Sequence, residues 1–459
     1  MNSKQRKLEQ SALVVAAVTN FMAPFMISAV NVALPAMQKE YAIGAVALGW
    51  IATSYLLATA VFLVPLGRLA DIYGHKKYFL WGLVIFTLSC LATVWAGSLT
   101  AILVLRVIQG IGSAAVVTSS MAILTAVFPP QRRGKAIGIY VSAVYIGLSL
   151  GPFVGGILTQ HLGWRSIFIL ATPIGLGSIW VTVAGLKGEW ADARGEAFDI
   201  SGSLLYAIAI VLIIYGSTLL PHISAIVLMV IGCISLVGFI IWELKCKTPV
   251  FEVRLFSGNK LFAFSNLAAL VHYGGTFAVT FLLSLYLQYV RGLSPQMAGL
   301  MLVVQPVCMA VFSPLTGKLS DKIEPSRLAS IGMAITALGL LFLSFINAQT
   351  PFYQIIVLFV IMGIGFALFS SPNMNAIMSS VSKKYYGIAS GAVSTMRLIG
   401  QMASMAIATV VFAILMGQAK IGPHNYDQLG QSMQICLLIS TGLCICGIFF
   451  SLFRGNLRE

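Results

Sequence analysis

The sequence predicts an all-α membrane protein with fourteen spanning helices in two repeated halves. Three observations predict it: recurrent apolar runs of spanning length, a one-sided distribution of loop charge, and a glycine pattern that returns in constant register. Hydrophobic residues make up 59% of the 459 and charged residues 9%, whereas a soluble domain carries about 25% charged residues. The mean hydropathy of +0.94 agrees. A water-soluble fold is excluded, and the weak residue-by-residue alternation of a membrane barrel is absent.

Apolar runs lie near 11–35, 46–66, 78–96, 99–127, 136–160, 166–186, 200–220, 222–243, 261–289, 296–316, 327–347, 352–371, 387–415 and 431–453. Each is about the twenty residues that an α-helix needs to cross a ~30 Å hydrocarbon layer. The basic start, Lys4-Gln5-Arg6-Lys7, resembles a signal-peptide n-region. The apolar stretch behind it runs on to Pro35 without a small-residue cleavage site, which makes it the first span.

Fourteen spans place both termini on one side. On that side fall Arg68, Lys76, Lys77, Arg132, Arg133, Lys187, Arg194, Lys318, Lys322, Arg327, Lys383 and Lys384, among others. The opposite loops hold only Lys39, Arg165, Arg291 and Lys420. Cationic loops resist translocation, so a multi-pass protein of the cell membrane with cytoplasmic termini is expected. The formal charge of +15 is thereby a matter of topology. No basic-aromatic patch for nucleic acid accompanies it.

Gly67-Arg68-Leu69-Ala70-Asp71 returns as Gly317-Lys318-Leu319-Ser320-Asp321, each time after a Pro-Leu pair. Gly110, Gly112, Gly134, Gly138 and Gly147 likewise return as Gly363, Gly365, Gly387, Gly391 and Gly400 at one offset. The offset exceeds six spans, which leaves room for two helices between the halves. The expected organisation is a six-helix bundle over 1–187, a linker with two extra helices over 188–260, and a second six-helix bundle over 261–459. Such pseudo-symmetric halves imply a site at their interface near the midplane, exposed alternately to each side.

The loop after the second span reads Gly67-x-x-x-Asp71-x-x-Gly74-His75-Lys76-Lys77. It resembles the signature of the major facilitator superfamily. Glycines permit a tight turn, and Asp71 can accept from a helix N-terminus or a basic group, so Gly67, Asp71, Gly74, Lys76, Lys77 and the second copy, Gly317 and Asp321, are expected to gate. Arg106-x-x-Gln109-Gly110 in the fourth span is similar to that superfamily's second motif. Gly147-x-x-x-Gly151-Pro152-x-x-Gly155 in the fifth is similar to a motif of its exporters. There, glycines four residues apart form a flat stripe for a close helix crossing, and Pro152 removes a backbone donor. Asn31-Val32-Ala33-Leu34-Pro35 closing the first span, Trp164-Arg165-x-Ile167-Phe168, Phe198-Asp199-x-x-Gly202 and Tyr286-Leu287-Gln288-Tyr289-Val290 extend the resemblance to the fourteen-helix drug:proton antiporters.

The resemblance implies a major facilitator fold and export of small amphipathic molecules, drugs included, by a secondary active antiporter. Met26 stands where that family usually carries an Asp, five residues before Asn31, and every acidic residue falls in a loop, a tail or a helix end. A buried carboxylate is the usual proton carrier. Protons as a coupling partner are therefore left to His272, the only ordinary titrating residue near a midplane. The alternative is a carrier for one metabolite or organic anion without proton exchange, with Arg106 and Arg397 facing the cavity. Substrate-binding candidates are Met22, Phe25, Met26, Trp50, Tyr55, Tyr145, His272, Tyr273, Phe277, Gln305, Asn373, Asn375 and Arg397: apolar and aromatic walls with sparse polar groups to orient a ligand. Expected partners are a small-molecule substrate and membrane lipid, on a chain that works as a monomer. No nucleotide-binding loop, metal-ligand spacing or clustered nucleophile is present in the sequence, so ATP, cofactors and an enzymatic role are not expected.

Overall fold

A computed structural model describes residues 3–220, 222–381, 386–417 and 419–455; Lys383 and Lys384 lie outside the described residues, and of Lys4 and Gly387 only the backbone is described. The first half comprises α1 (Ser3–Tyr41), α2 (Ala45–Tyr73), α3 (His75–Thr93), α4 (Leu99–Val127), α5 (Pro130–Leu162) and α6 (Arg165–Gly185). Two linker helices follow, α7 (Ile200–Thr218) and α8 (Ile223–Lys245), then a short α9 (Arg254–Gly258). The second half comprises α10 (Lys260–Thr276), α11 (Ala278–Leu285), α12 (Pro295–Leu302), α13 (Val304–Ser320), α14 (Pro325–Leu343), α15 (Phe352–Ser379), α16 (Tyr386–Leu415) and α17 (Tyr426–Phe453). Only helices can satisfy every backbone group in lipid without closing a barrel.

Thirteen helical stretches are long and apolar enough to cross a membrane. The fourteenth is α3, which packs between α4 and α6. Its apolar run begins only after Lys77 and is the shortest of the set.

Three spans differ from expectation. The first continues through Pro35 to Tyr41. The ninth is broken at Phe277 into α10 and α11 and ends in a π-turn over Tyr286–Val290. There the Ala278 N–H leaves the helix to donate to Ser404 Oγ on α16 (3.0 Å). The tenth is broken at Val303 into α12 and α13. Pro306 has no N–H to give the carbonyl one turn back, where the break falls.

The glycine register becomes geometry. An ideal Cβ on Gly110 would strike Tyr55 O and Ala58 Cβ of α2, and one on Gly363 would strike Gln305 O and Cys308 Cβ of α13. Gly112 abuts Gly82 O and Phe86 N; Gly365 abuts Gly332 O and Thr336 N. Gly147 abuts Phe21 O and Phe25 N; Gly400 abuts Leu270 O and Gly274 N. The first pair meets a carbonyl and the Cβ three residues on, the other two a carbonyl and the N–H four residues on, each time on the matching helix, so equivalent crossings are built twice. The result is two pseudo-symmetric six-helix bundles with two linking helices.

The linker helices pack on each other and touch α2 and α16 from outside. Tyr206 donates to Ala60 O (3.0 Å), and the Tyr215 ring lies 6.0 Å from that of Trp50. Asp199 caps α7 by accepting from Gly202 N (2.9 Å) and also takes the Trp242 indole N–H (2.9 Å). A Cβ at Gly202 would meet the carboxylates of both Asp199 and Glu243, which would have to shift to admit it. Ile226, Val230, Ile234 and Val237 on α8 remain exposed, as a face turned to lipid chains would be.

Candidate functional site

The interface between the halves is built around close crossings. The stripe of Gly147, Gly151 and Gly155 on α5 lies against α1 of its own half, at Phe21, Phe25, Ser28 and Ala29. The next residue, Gly156, reaches across the interface to Pro295 O, and Gly299 on α12 comes against Pro152 O. The exporter-like stretch therefore holds α1 with one face and the opposite half with the other.

Hydrogen bonds joining the halves gather at the end of the molecule away from the Asp71 loop. Ser284 Oγ donates to Asn31 O (2.9 Å) and Gln288 Nε2 to Val32 O (3.0 Å). The Tyr289 hydroxyl donates to Gln38 Oε1, and His161 Nε2 and Gln296 Oε1 lie 3.1 Å apart. The Asn31 carbonyl is available for a reason in the sequence. Pro35, four residues on, has no N–H with which to claim it within the helix. Pro35→Ala restores that donor and weakens the Ser284 bond, a net change of about 1 kcal/mol or roughly fivefold in the population of the closed end. The expected result is faster maleimide labelling of a single cysteine at Val32, which is wholly buried here; unchanged labelling rejects the link.

At the opposite end the signature loop turns at Gly74 (φ 115°). Asp71 lies 3.0 Å from His75 Nε2, one helical turn on. The carboxylate at the N-terminus of α3 is instead that of Glu189, which accepts from Lys76 N (2.7 Å) and Lys77 N (3.2 Å). Lys76 Nζ donates to Leu186 O (2.6 Å), Arg68 pairs with Glu196, and Ala193 N donates to Asp71 O (3.0 Å). The linker thus straps the loop. The sequence does not single out Glu189 and Glu196 from the other acidic residues outside the spans. Around the second copy, an ideal Cβ on Gly317 would lie 4.0 Å from Ser371 Cβ, and Ser320 Oγ accepts from Asn375 (2.9 Å). Asp321 follows α13 as its C-cap residue.

The candidate binding residues separate into two groups. Several belong to the interior of one half. Arg106, 1% exposed, donates to Ile51 O (3.1 Å) and Gln109 Oε1 (3.0 Å) and lies 4.4 Å from the Tyr55 ring centroid. Gln109 donates in turn to Thr93 (3.0 Å), and Tyr55 to Ser113 (2.7 Å). Met22 lines a small void closed by Thr19, Leu83, Phe86 and Ser113, while Phe25 and Met26 are buried in the core. Trp50 turns to the linker. His272 is fully buried, its ring 4.0 Å from that of Phe369 and 4.9 Å from Phe366, with neither nitrogen hydrogen-bonded among the described residues. Asn373 accepts from Arg454 (2.6 Å), a buried cation at the end of α17. Phe277 and Gln305 are half-buried at the break before α11 and on α13.

The second group meets between the halves. The hydroxyls of Tyr145 on α5 and Ser370 on α15 lie 2.8 Å apart. Arg397 on α16 is half-buried, with the hydroxyls of Tyr140 and Tyr273, from opposite halves, within electrostatic reach; the Tyr140 hydroxyl also lies 3.1 Å from Ser120 Oγ. Tyr140 and Ser370 carried no motif by which the sequence could mark them.

The sequence profile of the Major Facilitator Superfamily matches residues 16–242 and 266–457. The chain belongs to that superfamily. It is similar to the riboflavin transporter RibZ of Clostridioides difficile, 29% identical over 96% of both chains. It is also similar to the multidrug resistance protein Stp of Mycobacterium tuberculosis, 32% identical over 86% of this chain and 74% of that one. The tetracenomycin C resistance and export protein of Streptomyces glaucescens is 30% identical over 88% of this chain and 76% of its own. Among solved structures, the peptide transporter POT superposes with a TM-score of 0.69 at 15% identity, covering 97% of this chain and 98% of its own, a likeness of fold. As a major facilitator protein the chain is a multi-pass membrane transporter of a small-molecule substrate.

Proposed function

We propose that this transporter exports small amphipathic compounds from the cell by alternating access, with 1–187 and 261–459 rocking about their interface and 188–260 as a strap. The observation that carries the reading is the gathering of inter-half hydrogen bonds at the end away from the Asp71 loop, around Asn31, Gln38, Ser284 and Gln288. One sealed end is what one of two alternating states requires. With the Asp71 loop cytoplasmic, as the loop charges indicate, the sealed end is the outer one, as a state ready to load from the cytoplasm requires. Resistance and export proteins among the relatives support the direction.

A second reading is a carrier for one aromatic metabolite, favoured by the similarity to a riboflavin transporter along almost the whole length of both chains. Uptake into proteoliposomes with an imposed pH gradient, screened over cationic dyes, organic anions and riboflavin, separates the two. Export predicts accumulation of several unrelated amphiphiles; saturation by one compound alone, with the others inert, replaces the first reading with the second. His272 faces aromatic rings on its described sides, so proton coupling through it requires an aqueous path that opens only in another state.

Asp71 and its strap constitute the inner gate in this reading. Asp71→Asn removes the charge from the His75 contact and loosens the loop that the linker holds. Transport is expected to fall severalfold at unchanged expression, measured by dye efflux from cells; Asp321→Asn should be milder, because its loop lacks the Gly-His-Lys-Lys continuation. Equal rates for wild type and Asp71→Asn reject the gate.

A further inference from the structure

Three ionisable side chains lie deep in the spans, and the structure assigns them different occupations. Arg106 spends its donors on Ile51 O and Gln109 inside the first half. His272 is packed among rings. Arg397 makes no hydrogen bond or ion pair among the described residues, and its helix α16 packs against α2 of the opposite half. A charge at such depth costs ~2.5–3.5 kcal/mol on insertion scales, and charges kept there face a partner or a water-filled path.

Depth along the helices brings a definite set of groups to the level of Arg397. At 1.5 Å per residue, Arg397 lies about 17 Å from the start of α16, Tyr273 about 20 Å from the start of α10, and Tyr140 and Tyr145 about 15 and 22 Å from the start of α5. Ser370 lies about 14 Å from the end of α15 by the same measure. Those helix ends all lie on the Asp71 side. The groups come from both halves, and Tyr145 with Ser370 bridges them. The acidic residues of the described helices are Glu9, Glu40, Asp71, Glu243 and Asp427, each within two turns of a helix end and none at this level.

We infer that Arg397, with Tyr140, Tyr145 and Tyr273 around it, forms a substrate subsite between the halves that selects aromatic molecules carrying a carboxylate or sulfonate over aromatic cations. The inference rests on the transporter reading above and adds the substrate's charge. A guanidinium without a counterion among the described residues supplies charge-assisted hydrogen bonds to an oxyanion in a half-dry site. The phenol rings supply flat apolar faces and hydroxyls to orient the ligand's ring. A cationic ligand meets only like charge there, and an unpaired like charge is an effective element of rejection. Because the groups belong to both halves, a ligand bound to them is gripped in one state and released when the halves part.

The test uses two probes with one aromatic core, 2-naphthalenesulfonate and 2-naphthyltrimethylammonium, titrated into the purified full-length protein in detergent without any gradient. The wild type is expected to bind the sulfonate at least tenfold more tightly. Arg397→Gln should weaken sulfonate binding at least tenfold, a change of 1.4 kcal/mol, and strengthen ammonium binding, because the rejecting charge is gone; Arg397→Lys should fall between. Melting curves report whether the variants fold, and if Arg397→Gln does not, the wild-type preference and Arg397→Lys decide. Preference for the ammonium, equal binding of both, no sulfonate binding up to millimolar, or equal weakening of both probes overturns the inference. Counterflow of the same probes in vesicles keeps the two readings apart. Sulfonate binding without counterflow sinks transport and leaves the subsite; counterflow of the ammonium alone leaves transport and sinks the subsite.

Discussion

Gly299→Val is expected to abolish most transport while leaving each half folded. An ideal Cβ on Gly299 would run into Pro152 O, a backbone atom that no rotamer change can move aside. Forcing a side chain into a packed crossing costs typically 1–3 kcal/mol, and more where backbone must yield. Here the crossing joins α12 of one half to α5 of the other, so the penalty falls on the state in which this end is closed. A shift of 2 kcal/mol or more reduces the closed population roughly thirtyfold, and a transporter that cannot close one end cannot cycle. Two measurements check it: transport should fall more than tenfold, and a cysteine at Val32 should become labelled rapidly. Gly400→Val provides the contrast, because Gly400 abuts Leu270 O and Gly274 N within its own half. That variant should lose melting temperature and expression instead. Normal transport by Gly299→Val would show that this crossing does not limit the cycle.

The contrast illustrates what the sequence reveals and what it conceals. Spans were legible because lipid imposes a length and a hydropathy on every helix, and the paired glycines were legible because a close crossing tolerates nothing larger. The direction in which a polar residue points was not. In a helix apolar all round, periodicity gives no contrast between the face toward the cavity and the face toward a neighbour. Trp50 accordingly turned out to face Tyr215 on the linker, and Asn373 to serve Arg454. Long-range hydrogen bonds were equally hidden: the break before α11 depends on Ser404, far along the chain, and the cap on α3 on Glu189. Conversely, Pro35 reads in the sequence as the end of the first span, since proline usually stops a helix. It lies inside α1, and the carbonyl it frees is used by the opposite half.

The sharpest consequence concerns the two arginines that sequence alone treats alike. Arg106 is expected to behave as a structural hub and not as a substrate ligand. It ties α4 to α2 through Ile51 O and the Tyr55 ring and orients Gln109, which reaches Thr93 at the end of α3. Hydrogen bonds from a charged donor are worth about 1.5–3 kcal/mol each, and a desolvated cation over a ring adds roughly 1–2 kcal/mol. Arg106→Met deletes all of them and leaves a buried carbonyl and a buried amide short of a donor. Arg106→Lys keeps the charge but cannot hold the two acceptors in a planar fork while lying flat on the ring. Both variants should therefore lose several degrees of melting temperature and much of their yield, with the lysine variant less affected. The protein that survives should transport with a KM within about twofold of wild type, because no substrate touches the side chain. Arg397→Gln should show the reverse, with near-normal melting and a raised KM for anionic substrates. If Arg106→Met instead melts like the wild type and raises KM tenfold, the guanidinium must leave its partners during the cycle, and the hub would have to be redrawn as part of the binding site.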